Sequence, residues 1–264
     1  MKITANGIHI HVEDEGSGTP ALVFLHYWGG SSRTWAPVMA HLNGRYRTVA
    51  LDQRGWGRSD APADGYRIAD HADDAAGVIG ALGLTRYVLV GHSMGGKAAQ
   101  LLASRRPQGL AGLVLVAPSP PAPMAIPAEQ RDAIRHVYES RESIAAARDH
   151  VLTARPLSAA LQEQVVEDSL RGAAQAKAAW PTVGMLEDIT REVASIDVPT
   201  LVIAGERDQV ETPDTLRREL LPRIAHAVLH VLPKTGHLSP LEAPAEIADM
   251  VRAFVDRRIE ASAR

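Results

Sequence analysis

Tyr87-Val88-Leu89-Val90-Gly91-His92-Ser93-Met94-Gly95-Gly96-Lys97-Ala98-Ala99-Gln100-Leu101-Leu102 decides the reading of this chain. A strand-like apolar run leads into G-x-S-x-G, and an amphiphilic segment of helical composition follows at once. A serine at such a strand-to-helix turn sits on a tight bend, with its hydroxyl projecting above the sheet. The flanking glycines leave room for neighbouring backbone. Roughly 0.09 matches to the pentapeptide are expected by chance in a chain of this composition, before the strand and helix around it are required. Ser93 is the candidate nucleophile.

The flanking sequence alternates between short β-rich runs and helical patterns. Residues 8–12, 21–25 and 48–51 read as strands, and residues 70–82 as a helix with Ala72, Ala76, Ile79 and Leu82 on one face. A strand at 113–116 follows the helix after Ser93. Strands separated by helices predict a parallel sheet covered on both faces. The alternation stops at Pro118, where prolines recur at 120, 121, 123 and 127 and can continue neither a helix nor a central strand. Residues 127–179 read as helical with a break near Pro156; Trp180-Pro181 ends the block and an apolar piece, 183–189, follows. The α/β pattern resumes with a strand at 201–204, a helix at 212–221, a strand at 228–232 and a last helix striped by Ile247, Met250, Val251, Phe254 and Val255. The expected organisation is one α/β core, residues 1–117 and 194–264, interrupted by a helical lid at 118–193.

Acyl transfer by serine needs a base, a carboxylate to orient it and donors for the developing oxyanion. In an open α/β sheet these groups belong just after the carboxyl ends of strands. Gly205-Glu206-Arg207-Asp208 follows one strand and Gly236-His237 follows the next. The chain order Ser93, Asp208, His237 is that of a nucleophile-elbow hydrolase. Glu206 is the rival acid, turned away by side-chain alternation. His9 and His11 share one face of a strand and are expected at the surface. No H-x-x-x-H pair lies near a carboxylate, so no metal and no cofactor are expected.

Composition narrows the partners. A net charge of −3 offers nothing to nucleic acid or an anionic membrane, and no run approaches the length of a membrane span. Zero cysteines exclude disulfides and a thiolate nucleophile. The first seven residues lack the apolar core of a secretory signal, so a cytoplasmic protein is expected. A homo-oligomer is allowed.

The chain resembles the α/β-hydrolase superfamily, in its lidded serine esterase and non-haem haloperoxidase-like branch. Residues 91–97 resemble the G-H-S-M-G-G-K elbow of small bacterial esterases. Phe24-Leu25-His26-Tyr27-Trp28-Gly29-Gly30-Ser31-Ser32 with Trp35 resembles the H-G-x-x-G-S-S…W loop, and Asp52-Gln53-Arg54-Gly55-Trp56-Gly57-Arg58-Ser59 resembles D-x-R-G-x-G-x-S. Glu242-x-Pro244 after His237 fits the same pattern. The resemblance implies an α/β-hydrolase fold, with the N–H groups of Trp28 and Met94 as oxyanion donors and with His26 and His92 as supports. One departure is Tyr27, where the family usually has glycine; a bulky residue disfavours positive φ, so an ordinary backbone is expected there. Relatives that act as dehalogenases or epoxide hydrolases carry aspartate in place of Ser93.

These features predict a serine hydrolase that cleaves small-molecule carboxylic esters through Ser93, His237 and Asp208. A carbon–carbon bond hydrolase or perhydrolase on the same triad is the alternative, and a hydrolase-like ligand receptor a distant one. Tyr27, Tyr138, Trp180 and Met185 are the candidate substrate-binding residues.

Overall fold

The computed structural model describes residues 1–260. Eight strands form one twisted sheet: β1 Lys2–Ala5, β2 Ile8–Glu15, β3 Ala21–Leu25, β4 Thr48–Leu51, β5 Tyr87–His92, β6 Leu110–Val116, β7 Thr200–Gly205 and β8 Ala227–Leu232. Their order is β1-β2-β4-β3-β5-β6-β7-β8. Only β1–β2 and β2–β4 are antiparallel; the pairs from β4 through β8 are parallel. β5 lies inside the sheet and is buried throughout, which is why its sequence is continuously apolar rather than alternating.

Side chains leave a strand alternately to opposite faces, and this splits the core into two layers. Tyr87 and Leu89 join Leu25, Ala99 and Leu102 on one face. Val88 and Val90 join Phe24, Trp35, Val251 and Phe254 on the other. Helices α1 (Ala36–Leu42), α2 (Ile68–Ala81) and α3 (Met94–Ser104) cover the sheet with the C-terminal helix Pro244–Phe254.

Between β6 and β7 the chain leaves the sheet and forms α4 (Ala128–Arg135), α5 (Arg141–Ala147), α6 (Ala159–Arg171), α7 (Ala174–Thr182) and the short α8 (Thr190–Val193). α5 runs into a π-helical turn, Arg148–Leu152, and the chain is non-helical around Pro156. Ser158 caps α6, its hydroxyl accepting from Leu161 N at 3.3 Å. Pro181 sits in the last turn of α7, which closes at Thr182 rather than at Pro181. After β7, Thr212 caps α9 (Pro213–Glu219) with Pro213 at its first position. The short α10 (Ser239–Glu242) and then α11 (Pro244–Phe254) close the fold.

One local expectation is corrected and one is extended. His11 is buried, at 7% exposure, with Nε2 3.2 Å from Glu13, while His9 is exposed. On α2 Ala72 and Ile79 are buried and Ala76 and Leu82 pack half-buried against the same core, and the inward face also carries His71 and Asp74. Asp74 faces in because Arg54 meets it there, Nε to Oδ2 and Nη2 to Oδ1, both at 2.6 Å.

Candidate active site

Ser93 stands between the end of β5 and the start of α3, with φ 52° and ψ −116°. A non-glycine residue there is held by its surroundings against a local preference. Those surroundings are tight: a Cβ on Gly91 would lie 2.6 Å from the Gly95 carbonyl oxygen, and one on Gly95 would lie 2.5 Å from that of His26. Both glycines are therefore required by space, and the turn brings α3 against β3.

The loops after β7 and β8 bring the other two residues to Ser93. His237 Nε2 is 3.0 Å from Ser93 Oγ, and its Nδ1 is 2.9 Å from Asp208 Oδ2. The second carboxylate oxygen, Oδ1, accepts from the N–H groups of Val210 and Glu211 at 2.8 and 3.0 Å. With both oxygens held, Asp208 takes the proton-bearing Nδ1 of His237 and leaves Nε2 to accept from the serine hydroxyl. All three side chains are buried, so each bond is sheltered from competing water. Glu206 accepts from Lys234 N at 2.8 Å and turns away from this group.

The His237 loop is anchored from two directions. Glu242 accepts from Gly236 N at 3.1 Å and from Ala154 N and Arg155 N at 2.8 and 2.7 Å. His92 Nε2 donates to the His237 carbonyl at 2.8 Å; burial, then the neighbouring His237, hold the His92 pKa well below its ordinary value.

The loop after β3 faces the elbow. His26 Nδ1 donates to the Tyr27 carbonyl at 2.7 Å, and Nε2 accepts from Gln53 N at 3.0 Å. Burial pushes the pKa of His26 down to about 4. Tyr27 is absent from the residues with positive φ, as its bulk predicts. Among the described residues, neither Trp28 N nor Met94 N donates to a protein acceptor.

Of the four candidate substrate-binding residues, two lie against this loop. The Tyr27 ring is 5.2 Å from the His92 ring, which is 5.2 Å from that of His237. Tyr138 stacks on Trp28 at 4.2 Å and donates its hydroxyl to the Trp28 carbonyl at 2.8 Å. Trp180 and Met185 are buried within the insertion, Trp180 against Gly184 and Met185 bonded through its carbonyl to Met124 N; no hydrogen bond or ring contact among the described residues joins either to Ser93 or His237.

Glu211 has no counterpart in the sequence reading. It is 1% exposed, and burial followed by the adjacent Asp208 pushes its carboxyl pKa well up. An acid three residues after another in a loop carries no pattern that marks it.

A cavity of about 390 Å³ opens between the start of β7, β8 and α11, lined by residues including Leu201, Val228 and Phe254. It lies at the amino ends of these strands, the end opposite Asp208 and His237, and holds none of the three residues above. No cluster of three or more metal-ligating side chains occurs among the described residues.

The chain matches the family model described as alpha/beta hydrolase family over residues 22–250. It is 31% identical to a non-heme haloperoxidase of Rhodococcus erythropolis, covering 88% of this chain and 90% of that protein. It is 28% identical to a 2-(acetamidomethylene)succinate hydrolase of Mesorhizobium japonicum, covering 97% and 94%. Among solved structures it superposes on an esterase from Exiguobacterium antarcticum with a TM-score of 0.89 at 27% identity, covering 97% of this chain and 98% of the other. Elbow, strand order and matched span agree: the chain belongs to the alpha/beta hydrolase family.

Proposed function

We propose that this protein is a serine hydrolase of small-molecule carboxylic esters, working through an acyl-enzyme on Ser93. The observation that carries the reading is the buried chain from Ser93 Oγ to His237 (3.0 Å) to Asp208 (2.9 Å). Ser93 Oγ attacks the ester carbonyl as His237 Nε2 takes its proton, and Asp208 holds the imidazolium. The oxyanion is received by Trp28 N–H and Met94 N–H, two donors with no acceptor among the described residues. The alcohol leaves with the proton from His237. Water, deprotonated by the same nitrogen, then attacks the acyl carbon, and the acid departs as Ser93 regains its hydrogen. A donor in such a hole is typically worth about 10²–10³ in kcat.

The insertion between residues 118 and 193 acts as a lid in this reading and sets acyl preference, with Tyr27 and Tyr138 nearest the reacting carbonyl. Resemblance to a protein named a haloperoxidase supports a second reaction on the same triad. There hydrogen peroxide replaces water at the acyl-enzyme, and the products are a peracid and free Ser93. Among the described residues no helix is long and apolar enough to cross a membrane.

The test is hydrolysis of a p-nitrophenyl ester series by the wild-type chain and by Ser93→Ala, with mass spectrometry after an organophosphonate. Turnover that disappears in the variant, with the adduct on Ser93, supports the reading. Turnover that survives in Ser93→Ala would sink it.

A further inference from the structure

The loop that carries Trp28 N–H is held by two different parts of the molecule. The peptide joining Tyr27 to Trp28 is planar and rigid, so its carbonyl and its N–H tilt together about the bonds that flank them. That carbonyl accepts from His26 Nδ1 at 2.7 Å and from Gly30 N at 3.1 Å, both within the core. The next two carbonyls are held from the insertion. Trp28 O accepts from the Tyr138 hydroxyl at 2.8 Å, and Gly29 O accepts from the Ser169 hydroxyl at 3.0 Å. Ser31 Oγ, one turn later, donates to Asp168 at 2.8 Å, and Asp168 also takes Arg33 at 3.0 Å.

Gly29 and Gly30 make this stretch intrinsically loose. Gly29 has φ +98°, and a Cβ there would lie 2.5 Å from the Tyr138 ring. The loop is thus pressed against the insertion at the point where its backbone is most free to turn. The Trp28 Cα is therefore held from both sides, by the core through the peptide before it and by Tyr138 through the peptide after it, and the aim of Trp28 N–H depends on both.

We propose that Tyr138 and Ser169 are positioning residues that assemble the oxyanion hole, so that the docked insertion supplies transition-state binding as well as cover. The proposal rests on the ester-hydrolase reading and deepens it. Neither hydroxyl touches the reacting atoms; each acts through a loop carbonyl. A residue that only lines the acyl pocket changes substrate binding, whereas one that aims the donor changes stabilisation of the oxyanion.

The experiment compares wild type, Tyr138→Phe, Ser169→Ala and the double variant in the full chain. Tyr138→Phe keeps the ring on Trp28, and Ser169→Ala removes one oxygen, so thermal melting checks that each is folded. Three quantities are read: kcat and KM for p-nitrophenyl acetate, the inhibition constant of a trifluoromethyl ketone that forms a hemiketal oxyanion on Ser93, and the rate of Ser93 labelling by a fluorophosphonate. The expected result is a kcat loss of about 3- to 10-fold for each single variant and up to about 10²-fold for the pair, within the worth of one donor. KM stays within about twofold, and ketone affinity and labelling rate fall with kcat. A folded double variant with unchanged kcat and ketone affinity would overturn the proposal. So would a rise in KM alone, which would make these residues pocket lining. Wild-type turnover that survives Ser93→Ala counts against the esterase reading instead. The labelling rate then still decides whether the two hydroxyls shape the loop.

Discussion

Lys97 Nζ donates to the Glu187 carbonyl at 2.6 Å, tying the helix that begins beside Ser93 to the far end of the insertion. The same ammonium reaches the Ala122 carbonyl at 3.5 Å, near the insertion's start. One buried cation thus spans both hinges of the excursion. Burial pushes its pKa down from the ordinary value to about 8, while Glu187, Glu211 and Asp188 pull it back up.

Between about pH 8 and 10.5 the folded chain therefore binds less proton at Lys97 than the unfolded chain. The stability contributed by this group rises with pH across that window, and the full cost of burying the charge is present below it. The shift corresponds to roughly 3 kcal/mol. Urea denaturation of wild type and Lys97→Met should show the difference moving in favour of wild type from pH 8 to 10.5. A difference independent of pH would contradict the assignment.

The roles of His26 are fixed by its partners. Gln53 N–H can only donate and the Tyr27 carbonyl can only accept, so the ring is neutral with its hydrogen on Nδ1. With a pKa held near 4 by burial, the folded chain binds less proton here than the unfolded chain between about pH 4 and 6.5, and stability falls as pH drops through that range. In ¹⁵N-detected NMR, His26 should show a protonated Nδ1 and no titration from pH 7 to 5. A ring that titrates near pH 6.5 would disprove this.

Asp208→Asn would leave the imidazole without the acceptor that selects its tautomer. The expected loss in kcat is about 10⁴-fold, with the fold retained because Val210 N–H and Glu211 N–H still find an oxygen. Steady-state kinetics on the p-nitrophenyl series reads it directly; a loss of less than tenfold would remove Asp208 from the triad.

The buried pair of Arg54 and Asp74 makes a stability prediction away from the chemistry. Asp74→Ala strands a guanidinium that is 5% exposed, a change expected to cost about 3–5 kcal/mol. Replacing both residues by apolar side chains of similar volume should recover most of that loss in chemical denaturation. Equal destabilisation by the single and double variants would argue that the pair itself stabilises the fold.

The sequence carried the parts of this molecule that repeat locally. β3, β4, β5 and β7 are short apolar runs bounded by breakers, and Ser93, Asp208 and His237 follow strand ends where an open sheet places its ligands. β1 went unread because Lys2–Ala5 offers only two buried residues, although Asn6-Gly7 after it is a hairpin signal. On α2, polar residues on the buried face blurred the period. The insertion's bonds to the loop after β3 join residues more than a hundred positions apart, and no spacing rule reaches that far. The sequence offered Tyr138 as a candidate substrate-binding residue; its bond to the Trp28 carbonyl was not legible there.

In the proposed mechanism the backbone of Ser93 sets catalysis and robustness against one another. A residue held in so sparsely populated a conformation costs on the order of 1–3 kcal/mol, and glycine would adopt the same angles with far less strain. On the proposed serine mechanism, Ser93→Gly is expected to lose turnover and yet to outlast the wild-type chain in heat or denaturant. Selection for endurance alone would favour glycine at this position, and a screen that demands turnover would favour serine.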